Sequence, residues 1–170
     1  SNAGDVNGDG YSDVIIGANG YNSNTGRSYI FLGGTSMDNT ADIIMTGEAT
    51  GNNFGVSVSK AGDINGDGYS DVICGAYGYN SSTGKAYIYY GGVSMDSSPE
   101  VTMTGETTFN YFGNSVSEAG DVNGAEDKVK ECSYMNGCAL DGVKQFDEAI
   151  QAVTAAGDYQ DAAEKIKECY

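Results

Sequence analysis

Gly62-Asp-Ile-Asn-Gly-Asp-Gly-Tyr-Ser-Asp-Val-Ile-Cys-Gly-Ala76 is the stretch on which the reading of the fold turns. Its first half sets four oxygen-bearing side chains, Asp63, Asn65, Asp67 and Asp71, around Gly66 and Gly68. Glycine accepts positive φ, so this half can curl tightly. Its second half, Val72-Ile-Cys74, is apolar, has no helical period and reads as a short strand. The stretch occurs once earlier, as Gly4-Asp-Val-Asn-Gly-Asp-Gly-Tyr-Ser-Asp-Val-Ile-Ile-Gly-Ala18, and begins a third time at Gly120 before breaking off after Gly124. The offset is 58 residues both times.

Working outward, the rest of the unit repeats too. Tyr29-Ile-Phe-Leu-Gly-Gly34 answers Tyr87-Ile-Tyr-Tyr-Gly-Gly92, and Ile44-Met-Thr-Gly-Glu48 answers Thr102-Met-Thr-Gly-Glu106. Phe54-Gly-Val-Ser-Val58 answers Phe112-Gly-Asn-Ser-Val116. β-Branched and aromatic residues fill short segments separated by Gly, Asn and Ser, the pattern of strands and turns. Strands are expected over residues 14–18, 28–33, 43–47, 55–60, 71–76, 86–91, 101–105 and 113–118. Four strands per repeat is the size of one propeller blade with generous loops. Ser1-Asn2-Ala3 has the look of a tag remnant and is set aside. Cys74 takes the place of Ile16 in the first repeat and is expected in the core, where a free thiol packs as a small hydrophobe.

Each loop offers hard oxygen donors and nothing softer. The candidate ligands are Asp5, Asn7, Asp9 and Asp13 with the Tyr11 carbonyl, and Asp63, Asn65, Asp67 and Asp71 with the Tyr69 carbonyl. Ca²⁺ takes about six to eight oxygens, and three carboxylates gathered without a cation repel one another. The competing reading is a set of Asx-turns that hold no metal. An EF-hand is not expected, because its twelfth loop position calls for Glu and is Ile16 or Cys74 here. In the third copy Ala125 and Val129 replace the third and fourth ligands, so about two Ca²⁺ per chain are expected from the two complete sets.

The run from Phe54-Gly55 through the Asp63 loop to Gly75-Ala76-Tyr77 resembles the FG-GAP repeat of integrin α-subunit propellers and related surface proteins. Phe112-Gly113 and Gly17-Ala18-Asn19 carry the same two signatures, with the proline of "GAP" absent in both copies. The resemblance spans residues 4–124. It implies two four-stranded β-propeller-type blades, a calcium loop between the first and second strands of each blade, an extracellular or cell-surface setting, and a role in adhesion or ligand binding.

After Gly124 glycine gives way to Ala, Glu and Lys. Val143, Phe146, Ala149, Ile150 and Val153 fall at helical spacing, and Lys128-Val-Lys-Glu-Cys132 is echoed by Lys165-Ile-Lys-Glu-Cys169. Residues 125–170 are therefore expected to form a small α-helical hairpin that resembles tetratricopeptide-type repeats. A change of character inside a calcium loop suggests a fusion or recombined fragment, and the tail offers an alternative role as a protein-interaction scaffold. Cys132, Cys138 and Cys169 lie in this part without a CxxC pair.

Composition narrows the function. The net charge of −16 opposes nucleic-acid binding, which selects basic surfaces. In residues 1–124, seven of ten Asp fall inside the three Gly-rich stretches, so the acidity is clustered where a cation would sit. There is no His in the chain, which removes every His-based triad, general base and zinc ligand. Glu48, Glu106 and Glu118 look structural, and no catalytic constellation emerges, so no enzyme is expected; the alternative is a non-catalytic part of a hydrolase. No apolar run is long enough to span a membrane. Finally, on this reading the first blade lacks its own first strand, while residues 112–118 supply one too many. That predicts a homo-oligomer formed by strand addition at propeller edges, with a protein ligand as a further partner.

Overall fold

The computed structural model describes residues 1–120, which form two four-stranded antiparallel sheets. Sheet 1 has the order β1 (Asn2–Gly4), β2 (Asp13–Ala18), β3 (Arg27–Phe31), β4 (Ile43–Thr46). Sheet 2 repeats it as β5 (Val58–Gly62), β6 (Asp71–Ala76), β7 (Lys85–Tyr89), β8 (Val101–Thr104). Each is a simple meander in which sequence neighbours pair. The third loop at Asp121, the helical tail, and Cys132, Cys138 and Cys169 lie outside the described residues.

The registers of the two sheets are copies. Ile15 pairs with Ile30 and Ile16 with Tyr29, as Ile73 pairs with Ile88 and Cys74 with Tyr87. A bulge interrupts the first pairing of each sheet, at Gly4 and at Gly62, just before the acidic loop. The β2–β3 and β6–β7 links contain the single-turn segments Tyr21–Asn24 and Tyr79–Ser82. These turns are left-handed: Asn22, Ser23 and Asn24 have φ of 44°, 56° and 61°. Such φ values disfavour most side chains, and the Thr25 hydroxyl helps hold the turn by donating to the Asn22 carbonyl at 2.8 Å.

The core lies between the sheets. Because side chains alternate along a strand, Ile15 and Ile30 share one face of sheet 1, with Met45 beside them on β4. Val72, Cys74, Tyr87 and Tyr89 share one face of sheet 2. All seven are buried in a single cluster with Ala3, Val6 and Phe54. Cys74 is fully enclosed, as expected, and burial pushes its thiol up to about 12. The Ser28 hydroxyl lies beside that sulfur but makes no well-aligned hydrogen bond to it.

Three strand assignments are corrected. First, Ser1–Ala3 is part of the sheet. The Ser1 amine donates to the Ile15 carbonyl at 2.8 Å, Ile15 N–H donates back to Ser1 at 3.0 Å, and Ala3 is wholly buried. Blade 1 therefore has its own first strand. Second, the strand expected at 55–60 is β5, at Val58–Gly62. Gly55 has φ 78° and Val56 N–H closes a turn onto Asn53, so an extended backbone cannot begin before Ser57. Third, residues 113–118 form no strand. Gly113 repeats the positive φ of Gly55, and both the amide and the carbonyl of Val116 bond the Ser57 hydroxyl instead of a strand partner. The supernumerary strand invoked for edge addition does not exist in this form.

Candidate metal loops

Both acidic loops sit where a first strand hands over to a second, between β1 and β2 and between β5 and β6. Each is organised by its leading Asp. One oxygen of Asp5 accepts the Gly8 and Asp9 amides at 2.7 and 3.1 Å, and the other accepts Gly10 at 2.8 Å. Asp63 accepts Gly66, Asp67 and Gly68 at 2.7, 3.1 and 2.8 Å. A carboxylate that ties down three successive amides fixes the curl, and Gly8 and Gly10 at φ 76° and 88° make it sterically possible.

The second and third candidates are locked to one another. Asn7 accepts the Asp9 amide at 3.1 Å through its side-chain oxygen and donates from Nδ2 to Asp9 at 3.0 Å; the other Asp9 oxygen accepts Tyr11 N–H at 2.9 Å. Asn65, Asp67 and Tyr69 repeat these contacts. Tyr11 and Tyr69 thus enter the loops through their amides.

The fourth candidate is placed differently. Asp13 is 1% exposed and its two oxygens accept Val6 and Gly33 amides, both at 2.7 Å. Asp71 is fully buried and accepts Ile64 and Gly91 amides at 2.6 and 2.9 Å. Burial pushes both carboxyls above their usual value; the paired amides pull the other way, and the neighbouring loop carboxylates push up again. Asp13 and Asp71 are therefore anchors that tie each loop to the β3 or β7 end of its sheet. Gly33 and Gly91 were missed in the sequence as loop partners, although the repeated Gly-Gly pair was the signal for them.

Among the described residues no three acidic side chains converge closely enough to enclose an ion by themselves. What the loops do present is a compact set of carboxylate and amide oxygens, with no nitrogen or sulfur base among the candidates. Each carboxylate oxygen keeps lone-pair capacity beyond the amides it accepts. The donor set fits a hard cation of the calcium type, which accepts carboxylates, side-chain amides and carbonyls together.

The two loops have different surroundings. Loop 1 is pressed against sheet 2: Ser70 N–H donates to the Asp5 carbonyl at 3.0 Å and Gly92 N–H to the Val6 carbonyl at 2.7 Å. A Cβ on Gly8 would come within 2.5 Å of the Tyr69 ring. Loop 2 instead has Gly120 beside Gly62, where a Cβ would meet the Gly120 carbonyl at 2.2 Å.

Comparison with known proteins agrees with the motif reading. Residues 2–31 and 54–89 match the FG-GAP repeat. The chain is 31% identical to integrin alpha-5 of Xenopus laevis over 134 residues, which covers 71% of this chain and 13% of that protein. It is 33% identical to integrin alpha-IIb of Mus musculus over 141 residues, covering 74% of this chain and 14% of the relative. It is also 31% identical over 137 residues to the phosphatidylinositol-glycan-specific phospholipase D of Bos taurus, covering 71% of this chain and 16% of that one. The described residues therefore carry FG-GAP repeats in propeller-type blades, and the chain spans only a small part of the length of these relatives. No helix among the described residues is long and apolar enough to cross a membrane.

Proposed function

We propose that this chain is a calcium-binding, non-catalytic module of an extracellular binding or adhesion protein. Asp5, Asn7 and Asp9 in one loop, and Asp63, Asn65 and Asp67 in the other, would hold one Ca²⁺ each, with the Tyr11 and Tyr69 carbonyls and the remaining lone pairs of Asp13 and Asp71 completing the sets. The observation that carries this reading is the duplication of the loop in full: the same donors, tied by the same hydrogen bonds, at nearly the same lengths in two places. Ordinary turns need one Asx contact and have no need of three carboxylates within nine residues. Bound calcium would offset two of those three charges and clamp the entry to β2 and β6. The integrin relatives support the cell-surface setting and the binding role.

Calorimetric titration of Ca²⁺ into chelator-stripped chain tests it. The expected stoichiometry is about two ions per chain, one for each complete donor set. Absence of a binding isotherm refutes the reading.

A second reading is an accessory region of a hydrolase, favoured by the phospholipase D relatives. The chain has no His; among the described residues outside the loops, Glu48 and Glu118 are held in ion pairs and Asp38, Asp42, Asp96 and Glu100 accept backbone amides. Turnover of a phosphatidylinositol-glycan by the 170-residue chain would move the assignment to an enzyme.

A further inference from the structure

The two repeats diverge together at one corner. In repeat 2 the turn between β6 and β7 reads Asn80-Ser81-Ser82, the acceptor pattern for an N-linked glycan, which occurs once in the 170-residue sequence. Repeat 1 has Asn22-Ser23-Asn24 there, without the second hydroxyl. The segment that packs on this turn changes with it. Phe109 N–H donates to the Ser81 carbonyl at 3.3 Å and Tyr111 N–H to the Ser82 carbonyl at 2.8 Å. In repeat 1 the same bonds come from Gly51 to Ser23 at 3.2 Å and from Asn53 to Asn24 at 2.8 Å. The acceptor pattern and the two aromatic rings are thus present together in one repeat and absent together from the other.

Phe109 and Tyr111 pay for their position. Their φ values are 60° and 53°, in the left-handed region that Gly51 and Asn53 occupy at 81° and 57°. Gly and Asn suit that region, whereas a bulky side chain is strained in it. The rings lie side by side with centroids 6.5 Å apart, and Tyr77 adjoins Tyr111 at 6.1 Å. Yet Phe109 is 69% exposed and Tyr111 48%. A strained backbone that turns apolar rings to water gains no packing among the described residues, which points to a partner at this corner.

The acceptor stays open whichever blade stands beside it. Repeat 1 has sheet 2 packed against it, and there Asn22, Ser23 and Gly51 are still exposed and a Cβ on Gly51 meets nothing within 4 Å. Repeat 2 has sheet 1 on its other side, and Asn80 and Ser81 are exposed as well. Among the described residues neither the Asn80 side-chain amide nor the Ser82 hydroxyl makes a hydrogen bond. The side chains of Asn52, Asn53 and Asn110 nearby are all tied to backbone.

We propose that Asn80 carries an N-linked glycan whose inner sugars lie against the Phe109 and Tyr111 rings. The inference rests on the extracellular setting proposed above. In the transfer, Asn80 Nδ2 loses a proton to a base of the transferring enzyme and attacks C1 of a sugar carried on a lipid diphosphate. The C1–N bond forms, the C1–O bond breaks, and the lipid diphosphate leaves with the electron pair; nothing is oxidised or reduced. Ser82 supplies the hydroxyl that the acceptor pattern requires. The C–H faces of a sugar ring suit the electron-rich face of an aromatic ring, so the attached glycan covers the apolar surface that the strained turn presents.

The test exports the 170-residue chain from insect cells behind a cleavable secretion leader and weighs it before and after N-glycosidase. The expected result is one oligosaccharide, removed by the enzyme, kept in Ser82→Thr and missing from Asn80→Gln and Ser82→Ala. The same sequence made in bacteria, without glycan, is the reference for stability. The glycan should raise the melting temperature by about 2–4 °C, the shift a contact of ordinary size gives a chain of this length. Phe109→Gly with Tyr111→Asn installs the residues that repeat 1 carries at the same φ and leaves the acceptor intact; in that background the rise should disappear. The leader supplies export, so a secreted chain of unmodified mass overturns the proposal itself. If that chain still takes up calcium, the metal reading stands without it. A glycan whose stabilisation is unchanged when both rings are removed overturns the proposal as well.

Discussion

Glu48 reaches across the seam between the sheets to Lys85, with Nζ 2.8 Å from one carboxylate oxygen and 3.1 Å from the other. Lys85 also lies over the Tyr79 ring, 3.8 Å from its centroid, and the Tyr87 hydroxyl donates to the same carboxylate. Burial raises the Glu48 carboxyl, but the Lys85 and Tyr87 hydrogen bonds and the Lys85 charge outweigh it and hold the group below its usual value of 4.5. A carboxyl whose folded value is depressed stabilises the fold above the unfolded value and loses that contribution as pH falls through the folded one. Glu48→Gln should therefore lower stability near neutral pH, and the difference from the parent should vanish as pH falls through the depressed folded value. The Glu48 side chain is 47% exposed, so the loss is expected to stay under about 1 kcal/mol. Urea unfolding of both proteins between neutral and acid pH measures it; a difference that grows with acid would contradict the assignment.

The two FG phenylalanines make an internal control. Phe54 is enclosed by Tyr87 and Tyr89, whereas Phe112 is 38% exposed. Phe54→Ala should cost about 3–5 kcal/mol, the range for removing a fully packed ring. Phe112→Ala should cost far less when measured at high dilution. Denaturant midpoints of the two variants would settle the contrast, and equal losses would mean that the seam is not the principal core.

Calcium should raise the unfolding temperature. A ligand that binds only the native state adds RT ln(1 + [L]/Kd), about 2.7 kcal/mol at a hundredfold excess over Kd. Asp9→Ala and Asp67→Ala should each remove part of the calcium-dependent increment and the double variant most of it. Differential scanning calorimetry with and without chelator is the measurement. Should neither chelator nor the double substitution move the transition, the loops are ordinary turns.

Glycine substitutions should separate backbone strain from collision. Gly51 and Gly55 have φ of 81° and 78°. A Cβ on Gly51 meets nothing within 4 Å, whereas one on Gly55 comes within 2.4 Å of the Arg27 carbonyl oxygen. Gly51→Ala should cost about 1–2 kcal/mol, the penalty for a left-handed L-residue. Gly55→Ala should cost clearly more, because the backbone beside it must also move. Thermal unfolding of the pair checks the ordering.

How far the sequence reached is clearest at single positions. Cys74 was assigned to the core because it replaces Ile16 in an apolar run, and it is buried; Ile16 itself is not. The repeat and seven of the eight expected strands were legible because each depends on residues close together in the chain. Strand ends were less so: the start of β5 depends on Gly55 turning at positive φ against the neighbouring sheet. Ala3 was set aside as foreign to the fold, yet its pairing with β2 fills the first strand position.

Sequence alone determined that the chain repeats a four-stranded β unit, that each unit carries one acidic loop, and that the side chains of that loop present hard oxygens. Local spacing, glycine freedom and side-chain chemistry suffice for that, since none of it requires knowing what lies across a seam. Tertiary structure decided the rest. It made Asp13 and Asp71 buried anchors tied to Gly33 and Gly91, and it buried one of two identical phenylalanines. It also left Ile16 exposed where its counterpart Cys74 is buried. Two copies of the same sequence motif differ here only in whether another sheet stands against them, and burial, unlike periodicity, is a property of neighbours.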